Sequence, residues 1–333
     1  MLDTPTEMTY REAIVAGQRD AMAADERVIL MGEDIGVAGG PFKTTEGLQQ
    51  RFGPRRVRDT PISEQAFVGA AMGMALTGYR PIVELMFSDF MAVCYDQIVN
   101  NLAKHRFMQG GTIEVPVLIR AIGGGGTRFG AQHSQSGEGW LLPVPGLYVW
   151  AAASPHEAYN MIRAAVRNPN PVIVIEHKLL FSRKGVVTLD QRDLPVIDGP
   201  KCLREGSDVT IVASLGMVER IQAAGENLAT AGISAELFDL RVIRPMSLAP
   251  IMASVRKTGR LLIVEENHSC GGWGGEVVAT VTREAFDYLD APPERLTLPD
   301  WPMPYSPALE DAAIPSVERI CALVHDMLGE QGR

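Results

Sequence analysis

Glu64 stands in R-D-T-P-I-S-E-Q-A-F-V-G-A-A-M-G-M-A-L, residues 58–76, between a proline turn and a run of small and apolar residues. An acid in the first turn of a helix complements the helix dipole, with Thr60 or Ser63 as cap and Pro61 in the turn, and that reading needs no ligand. A chemical reading asks for a carboxyl half-buried by Phe67, Val68 and Met72. Desolvation would then raise its proton affinity and let it share a proton with a ligand nitrogen. His133, in G-A-Q-H-S-Q-S-G-E-G, is a solvated loop histidine or, if it faces a pocket, a proton shuttle. Phe90, beside Asp89, is a core residue or a ring that stacks on a flat heterocycle. In R-N-P-N-P, residues 167–171, an Asn-Pro turn ends a helix; its freed carbonyls and Asn side chains offer oxygen ligands to a hard cation.

Apolar periodicity outlines the elements that must position these residues. A helix is predicted over 9–24, a buried strand over 27–31 ending in the polar loop G-E-D-I-G-V-A-G-G-P-F-K, a helix over 64–76 and a strand over 80–85. A long amphipathic helix follows over 88–107, then a strand from Val115, a glycine-rich loop over 123–139, a strand over 147–150, a helix over 155–167 and a strand from Val172. Alternating helix and strand in this rhythm predicts a parallel sheet flanked by helices. Gly69 and Gly73, four apart, share one helix face and allow either tight internal packing or close approach of a helix from another subunit.

Between 181 and 207 the pattern breaks into charged, proline-containing sequence typical of a linker. A second, smaller series follows: a strand at Val209, a helix over 218–231, the strand S-A-E-L-F-D, a helix over 248–258, a strand at Leu261 and a last helix over 317–328. The expected organisation is α/β throughout: a domain over 8–183, a linker over 184–206 and a smaller α/β domain over 207–330.

The 333 residues carry a formal charge of −9, with 46% hydrophobic and 21% charged residues. That balance fits a folded α/β protein and argues against a nucleic-acid footprint, which needs clustered Lys and Arg. Without an 18-residue apolar run or a signal-like start, the expectation is a cytoplasmic chain with no membrane span. Four cysteines, far apart and without a C-x-x-C pair, suit a reducing compartment and disfavour a zinc ribbon. Neither I-G-G-G-G-T-R-F-G nor C-G-G-W-G-G has the G-x-G-x-x-G spacing, and phosphate-loop, zincin and nucleophile-elbow motifs do not occur.

Taken in order, M-G-E-D-I-G, T-E-G-L, D-T-P-I-S-E, G-Y-R-P-I-V-E-L-M-F-S-D-F, D-Q-I-V-N, A-Q-H-S-Q-S and N-P-N-P-V-I-V-I-E-H-K-L-L resemble the beta subunit of thiamine-diphosphate-dependent 2-oxo-acid dehydrogenases. The likeness runs into the second half through D-L-R-V-I-R-P-M and P-A-L-E-D-A-A-I-P. This family includes the pyruvate, branched-chain 2-oxo-acid and acetoin dehydrogenase beta chains. It implies a transketolase-like pyrimidine-binding domain followed by a transketolase C-terminal domain.

The resemblance also implies roles. Glu64 matches the glutamate that hydrogen-bonds the cofactor's aminopyrimidine ring and promotes formation of the nucleophile. Phe90 matches the aromatic position packed on that ring, and His133 the proton donor for acyl passage to a lipoyl sulfur. Carbonyls near Val117, Ala165 and Val166, with Asn168 and Asn170, match a monovalent-cation loop for potassium; Asn168 replaces a common Asp, which weakens the electrostatic hold. Thr127, Arg128 and Phe129 are expected to line the approach to His133 and to bear on substrate preference. No G-D-G followed by Asn is present, so magnesium and the diphosphate are expected on an alpha partner in an alpha2beta2 assembly. The lipoyl acyltransferase core would dock through its basic subunit-binding domain, and the small-molecule substrate would be a 2-oxo acid or acetoin. Competing readings are a non-catalytic assembly subunit and half of a split transketolase or deoxyxylulose phosphate synthase.

Overall fold

Runs such as V-I-L-M-G and V-I-V-I-E-H have apolar residues at consecutive positions, a pattern that suits strands covered on both faces. In the computed structural model, which describes residues 5–189 and 196–329, both runs are strands buried along their whole length. The chain divides into two compact units, one formed by residues up to Gly123 with Pro143–Ile197, the other by Gly124–Leu142 with the residues from Asp198 onward. The glycine-rich loop that carries His133 therefore belongs to the second unit.

In the first unit, β1 (Pro5–Thr9) precedes β2 (Val28–Gly32), β3 (Val57–Asp59), β4 (Arg80–Leu85), β5 (Leu118–Gly123), β6 (Tyr148–Ala151), β7 (Val172–His177) and β8 (Lys184–Thr188). Six of these lie parallel in the order β6-β7-β5-β4-β2-β3, while β1 and β8 form a separate antiparallel ribbon. Parallel pairing puts the carboxyl ends of all six strands on one edge, the edge where open α/β sheets hold ligands.

Helix Tyr10–Ala24 starts at a capping box, with the Thr9 side chain accepting from the Glu12 N–H and the Glu12 carboxylate accepting from the Thr9 N–H. Helix Pro155–Arg167 starts at Ser154 with proline in its first turn. Two sequence-based expectations need revision. Residues 88–107 are not one helix but a 3-10 turn (Ser88–Ala92), a π-helical stretch (Gln97–Leu102) and a short α-helix (Ala103–Met108). Within the π stretch the Asn101 amide donates to the Asp96 carbonyl 3.3 Å away, a side-chain bond that competes with the helical ladder. The expected linker contains β8 and β9 (Lys201–Arg204); its residues 190–195 lie outside the described ones.

The second unit adds β10 (Val209–Ala213), β11 (Ala235–Asp239), a short β12 (Val242–Arg244), β13 (Leu261–His268) and β14 (Glu294–Leu298). Its sheet runs β14-β13-β10-β11-β9, parallel except for β9 at the edge.

Candidate active site

At the carboxyl edge of the first unit, β2 and β3 run side by side; Glu33 follows the end of β2, and Asp59 ends β3. The Thr60 N–H donates to the Gly32 carbonyl at 2.9 Å, and the Asp59 carboxylate accepts from the Gly36 N–H at 2.7 Å. These bonds tie the loop after β2 to the stretch that leads into helix Glu64–Leu76. They bring Glu33 and Glu64 close together: the Glu33 carboxyl is pushed up to about 7 by burial first and then by the charges of Glu64 and Asp34. Glu64 is 5% exposed. Glu33 Oε1 and Thr60 Oγ1 are buried with no hydrogen-bond partner among the described residues. Ser63 occupies the N-cap position without a side-chain cap bond, so the helix start is not built by the capping that composition suggests.

Phe90 lies half-buried in the 3-10 turn, its ring 5.8 Å from Phe87 in an edge-on arrangement. Phe87 meets Phe42 in the same way at 5.6 Å, Phe42 reaches Phe181 at 5.4 Å, and the Lys178 ammonium lies 5.5 Å from the Phe87 ring. Cys94 donates weakly to the Phe90 carbonyl at 3.6 Å, and its thiol is pushed up to about 12 by burial and then by the Glu64 charge. That charge effect ties the Phe90 turn to Glu64, and it makes Cys94 a poor nucleophile. Of the two helix glycines, Gly69 has Gln97 of the same chain against it, where a Cβ would meet Oε1 at 3.2 Å. Gly73 is exposed with open space around it.

Two strands away lies a charged cluster that sequence reading missed. Arg120, fully buried on β5, donates to both oxygens of Glu176 on β7 (2.6 and 2.8 Å) and to Glu84 Oε2 on β4. Gln18 and Thr44 join it, the latter donating to Glu84 at 2.8 Å. Burial pulls the guanidinium down, but the charges of Glu176 and Glu84 together outweigh it and hold Arg120 above its ordinary value. The signal in the sequence was a lone charge at the centre of an apolar strand, L-I-R-A-I-G.

The candidate cation turn lies at the opposite, amino edge of the same sheet. Its oxygens are all engaged: Val117 O accepts from Val172 N, Ala165 O from Asn168 N, and Val166 O from Arg80 Nη1 at 2.8 Å. Asn168 Oδ1 accepts from the Asn170 backbone and amide, and Asn170 Oδ1 from Arg106 at 2.7 Å. The turn gathers the five positions, but it offers no carboxylate and already binds two guanidinium groups.

His133 lies half-buried in the second unit, on a loop fastened by its own ends. Gly125 N donates to Glu266, and Gly126 N to Glu310 at 2.7 Å. Arg128, at positive φ, is taken up by ion pairs to Glu310 (2.7 Å) and Asp311 (2.8 Å), so it fastens the loop to helix Pro307–Ala313. Of the three residues expected to line an approach to His133, Arg128 is thus structural, while Phe129 is exposed. The residues after His133 line a cavity of about 420 Å³ with Ser134, Trp140, Asn267, His268 and Trp301. Beside it, the fully buried Glu138 carboxyl is pushed up to about 8, by burial first and then by Glu266 and Glu265.

Two family models match the chain, and the first of them spans the 124–142 loop that packs with the second unit. The model of the transketolase pyrimidine-binding domain matches residues 6–183 and that of the transketolase C-terminal domain residues 200–320, and the chain belongs to this family. Within it the chain falls among the E1 beta subunits: it is 44% identical over 318 residues to the mitochondrial pyruvate dehydrogenase E1 component subunit beta-1 of Arabidopsis thaliana, covering 94% of this chain and 87% of that one. It is also 40% identical over 335 residues to the beta subunit of the acetoin:2,6-dichlorophenolindophenol oxidoreductase of Bacillus subtilis, covering 97% and 98%. A split-gene transketolase solved as an inactive beta4 tetramer superposes with a TM-score of 0.79 at 21% identity over 98% of this chain and 99% of that one, a likeness of fold. Among the described residues no helix is long and apolar enough to cross a membrane.

Proposed function

We propose that this chain is the beta subunit of a thiamine-diphosphate-dependent 2-oxo-acid dehydrogenase of the pyruvate dehydrogenase type, active together with an alpha subunit in an alpha2beta2 assembly. The observation that carries the reading is the buried pair Glu64 and Glu33, its second member raised to about 7, joined through Cys94 to the Phe90 turn. A flat, nitrogen-bearing ring suits such a place: an aromatic wall for its face, and two carboxyls and the Thr60 hydroxyl for its edge. When bound, the cofactor supplies a nucleophilic carbon and an electron sink for decarboxylation.

The chain's own part is proton handling and orientation. Glu64 would hold a proton at a pyrimidine ring nitrogen, and Phe90 would fix the ring's plane. Glu33, protonated over much of the range below pH 7, sets no full negative charge of its own at this edge. His133 would give a proton to the lipoyl sulfur during acyl transfer. Magnesium and the diphosphate would be held by the alpha chain. Potassium would reach the carbonyls of Val117, Ala165 and Val166 only by displacing Arg80 from Val166, and Asn168 and Asn170 bring no charge to favour it. The acyltransferase core would dock on the acidic beta chain through its basic subunit-binding domain. Four free cysteines suit a cytoplasmic setting.

Acetoin cleavage is the second reading, favoured by the 40% identity to the acetoin enzyme's beta subunit over nearly both full lengths. The test is Glu64→Gln in the alpha/beta pair, assayed with pyruvate, branched 2-oxo acids and acetoin against a reducible dye. Assembly by size is expected to persist while turnover falls roughly 10²- to 10⁴-fold, the usual worth of a positioned proton-transfer group. Unchanged turnover would remove Glu64 from the chemistry, and activity with branched acids alone would overturn the substrate order.

A further inference from the structure

Four arginines meet around one cavity in a chain whose net charge is −9. The cavity, of about 410 Å³, lies at the amino edge of the first unit's sheet, where helices Tyr10–Ala24 and Pro155–Arg167 end. Arg27, Arg80, Arg163 and Arg167 line it with only Asp20 and Asp25 as acids. Both acids are already engaged: Asp25 takes Arg27 at 2.7 Å and Arg80 at 3.9 Å, and Asp20 takes Arg19 and the Tyr159 hydroxyl, each at 2.9 Å.

Arg163 is the informative member. Its side chain is 5% exposed, its guanidinium lies 4.9 Å from the Tyr159 ring, and its Nη1 has no hydrogen-bond partner among the described residues. A guanidinium N–H removed from water with no acceptor is costly, and an anion is its natural compensation. The carbonyl ends of the two helices would oppose an anion. Here they are partly covered, because Arg56 donates to the carbonyls of Met22 and Asp25, and Arg80 to that of Val166.

We propose that this cavity is a phosphate site, taking a phosphate group either free or as the monoester of a small molecule. Planar guanidinium forks arranged around one space match an oxyanion with several oxygens better than a carboxylate with two. The volume exceeds that of phosphate and leaves room for the organic part of a monoester. Strands of five or six residues set this edge about 17–20 Å from Glu33 and Glu64, so the ligand does not touch the proposed cofactor edge. A phosphate on Arg80 competes with the Val166 carbonyl for the same guanidinium, which couples the site to the 165–170 turn.

The test is calorimetric and thermal-shift titration of the full chain with inorganic phosphate and with glycerol 3-phosphate, against chloride and acetate at matched ionic strength. Saturable one-to-one binding and a raised melting temperature are expected with the two phosphates alone; tighter binding of the ester points to a monoester, equal binding to free phosphate. Arg163→Gln should weaken binding roughly tenfold or more, the loss of one charge-assisted contact. Arg167→Gln, at an exposed position, should weaken it severalfold without disturbing the fold, and it decides the matter if the Arg163 variant does not fold. No saturable binding of either phosphate, an equal response to acetate, or unchanged affinity in both variants overturns the proposal.

Discussion

Two groups of buried charge lie within a few strands of each other in the first unit, and they are built on opposite principles. Around Arg120 every charge faces its opposite: Glu176 accepts two bonds from one guanidinium, and Glu84 accepts from the same arginine and from Thr44. Around Glu33 and Glu64 acids face acids, no cation among the described residues pairs with either carboxyl, and Glu33 keeps an oxygen without a partner there. The first arrangement ties three strands together by opposite charges, and Glu84 Oε1 is its one carboxylate oxygen without a hydrogen-bond partner among the described residues. The second is costly in the chain alone, and that cost is what a proton-sharing ligand can relieve.

The largest effect is expected from the paired cluster. Arg120→Met leaves Glu84 and Glu176 in the core without a counter-charge, and breaking a buried pair in this way costs about 3–5 kcal/mol. Denaturant unfolding near neutral pH should show that loss, and it should shrink in acid as the two carboxyls protonate. A variant as stable as the parent would mean that the acids find other partners, and the contrast between the two clusters would dissolve.

Glu138 in the second unit supplies a third case, an acid isolated by burial rather than by design around a ligand edge. Its folded value of about 8 lies above the unfolded value near 4.5, so between these limits the native state holds a proton that the unfolded chain has lost. Stability is therefore full in acid and is lost as pH rises through about 8, with a slope near 1.4 kcal/mol per pH unit from this one group. Glu138→Gln keeps the shape and removes the titration. It should match the parent near pH 4 and exceed it by about 4 kcal/mol at pH 9, read from denaturation midpoints.

How far this was legible in the sequence differs from element to element. Helix Glu64–Leu76, β4 and helix Pro155–Arg167 announce themselves by local pattern, and their bounds coincide with those predicted from periodicity. The 88–107 stretch does not, because its apolar period is helical while Asp96, Asn100 and Asn101 bond one another and shift the turn. β1 and β9 were invisible because each is short, largely exposed and stabilised by a partner far along the chain. At the proposed site, Glu64 and Phe90 were marked by their place in ordered motifs, whereas Glu33 stood in M-G-E-D-I-G without a role. Its perturbation depends on Glu64, 31 positions away, and only the pairing of β2 with β3 makes them neighbours.

Glu33 itself gives the smallest effect and the sharpest comparison. Its carboxyl titrates near 7 in the folded chain against 4.5 unfolded, so its contribution is complete in acid and fades as pH rises from about 4.5 through 7. Glu33→Gln should flatten that part of the stability curve and gain about 1 kcal/mol at pH 8, a figure already reduced for solvent screening at a strand end. Adding thiamine diphosphate with the alpha partner should reverse the order: the parent, whose acid the bound ring would answer, should gain more melting temperature than the variant. Equal gains would make Glu33 a buried acid like Glu138, tolerated by the fold and without part in the cofactor edge.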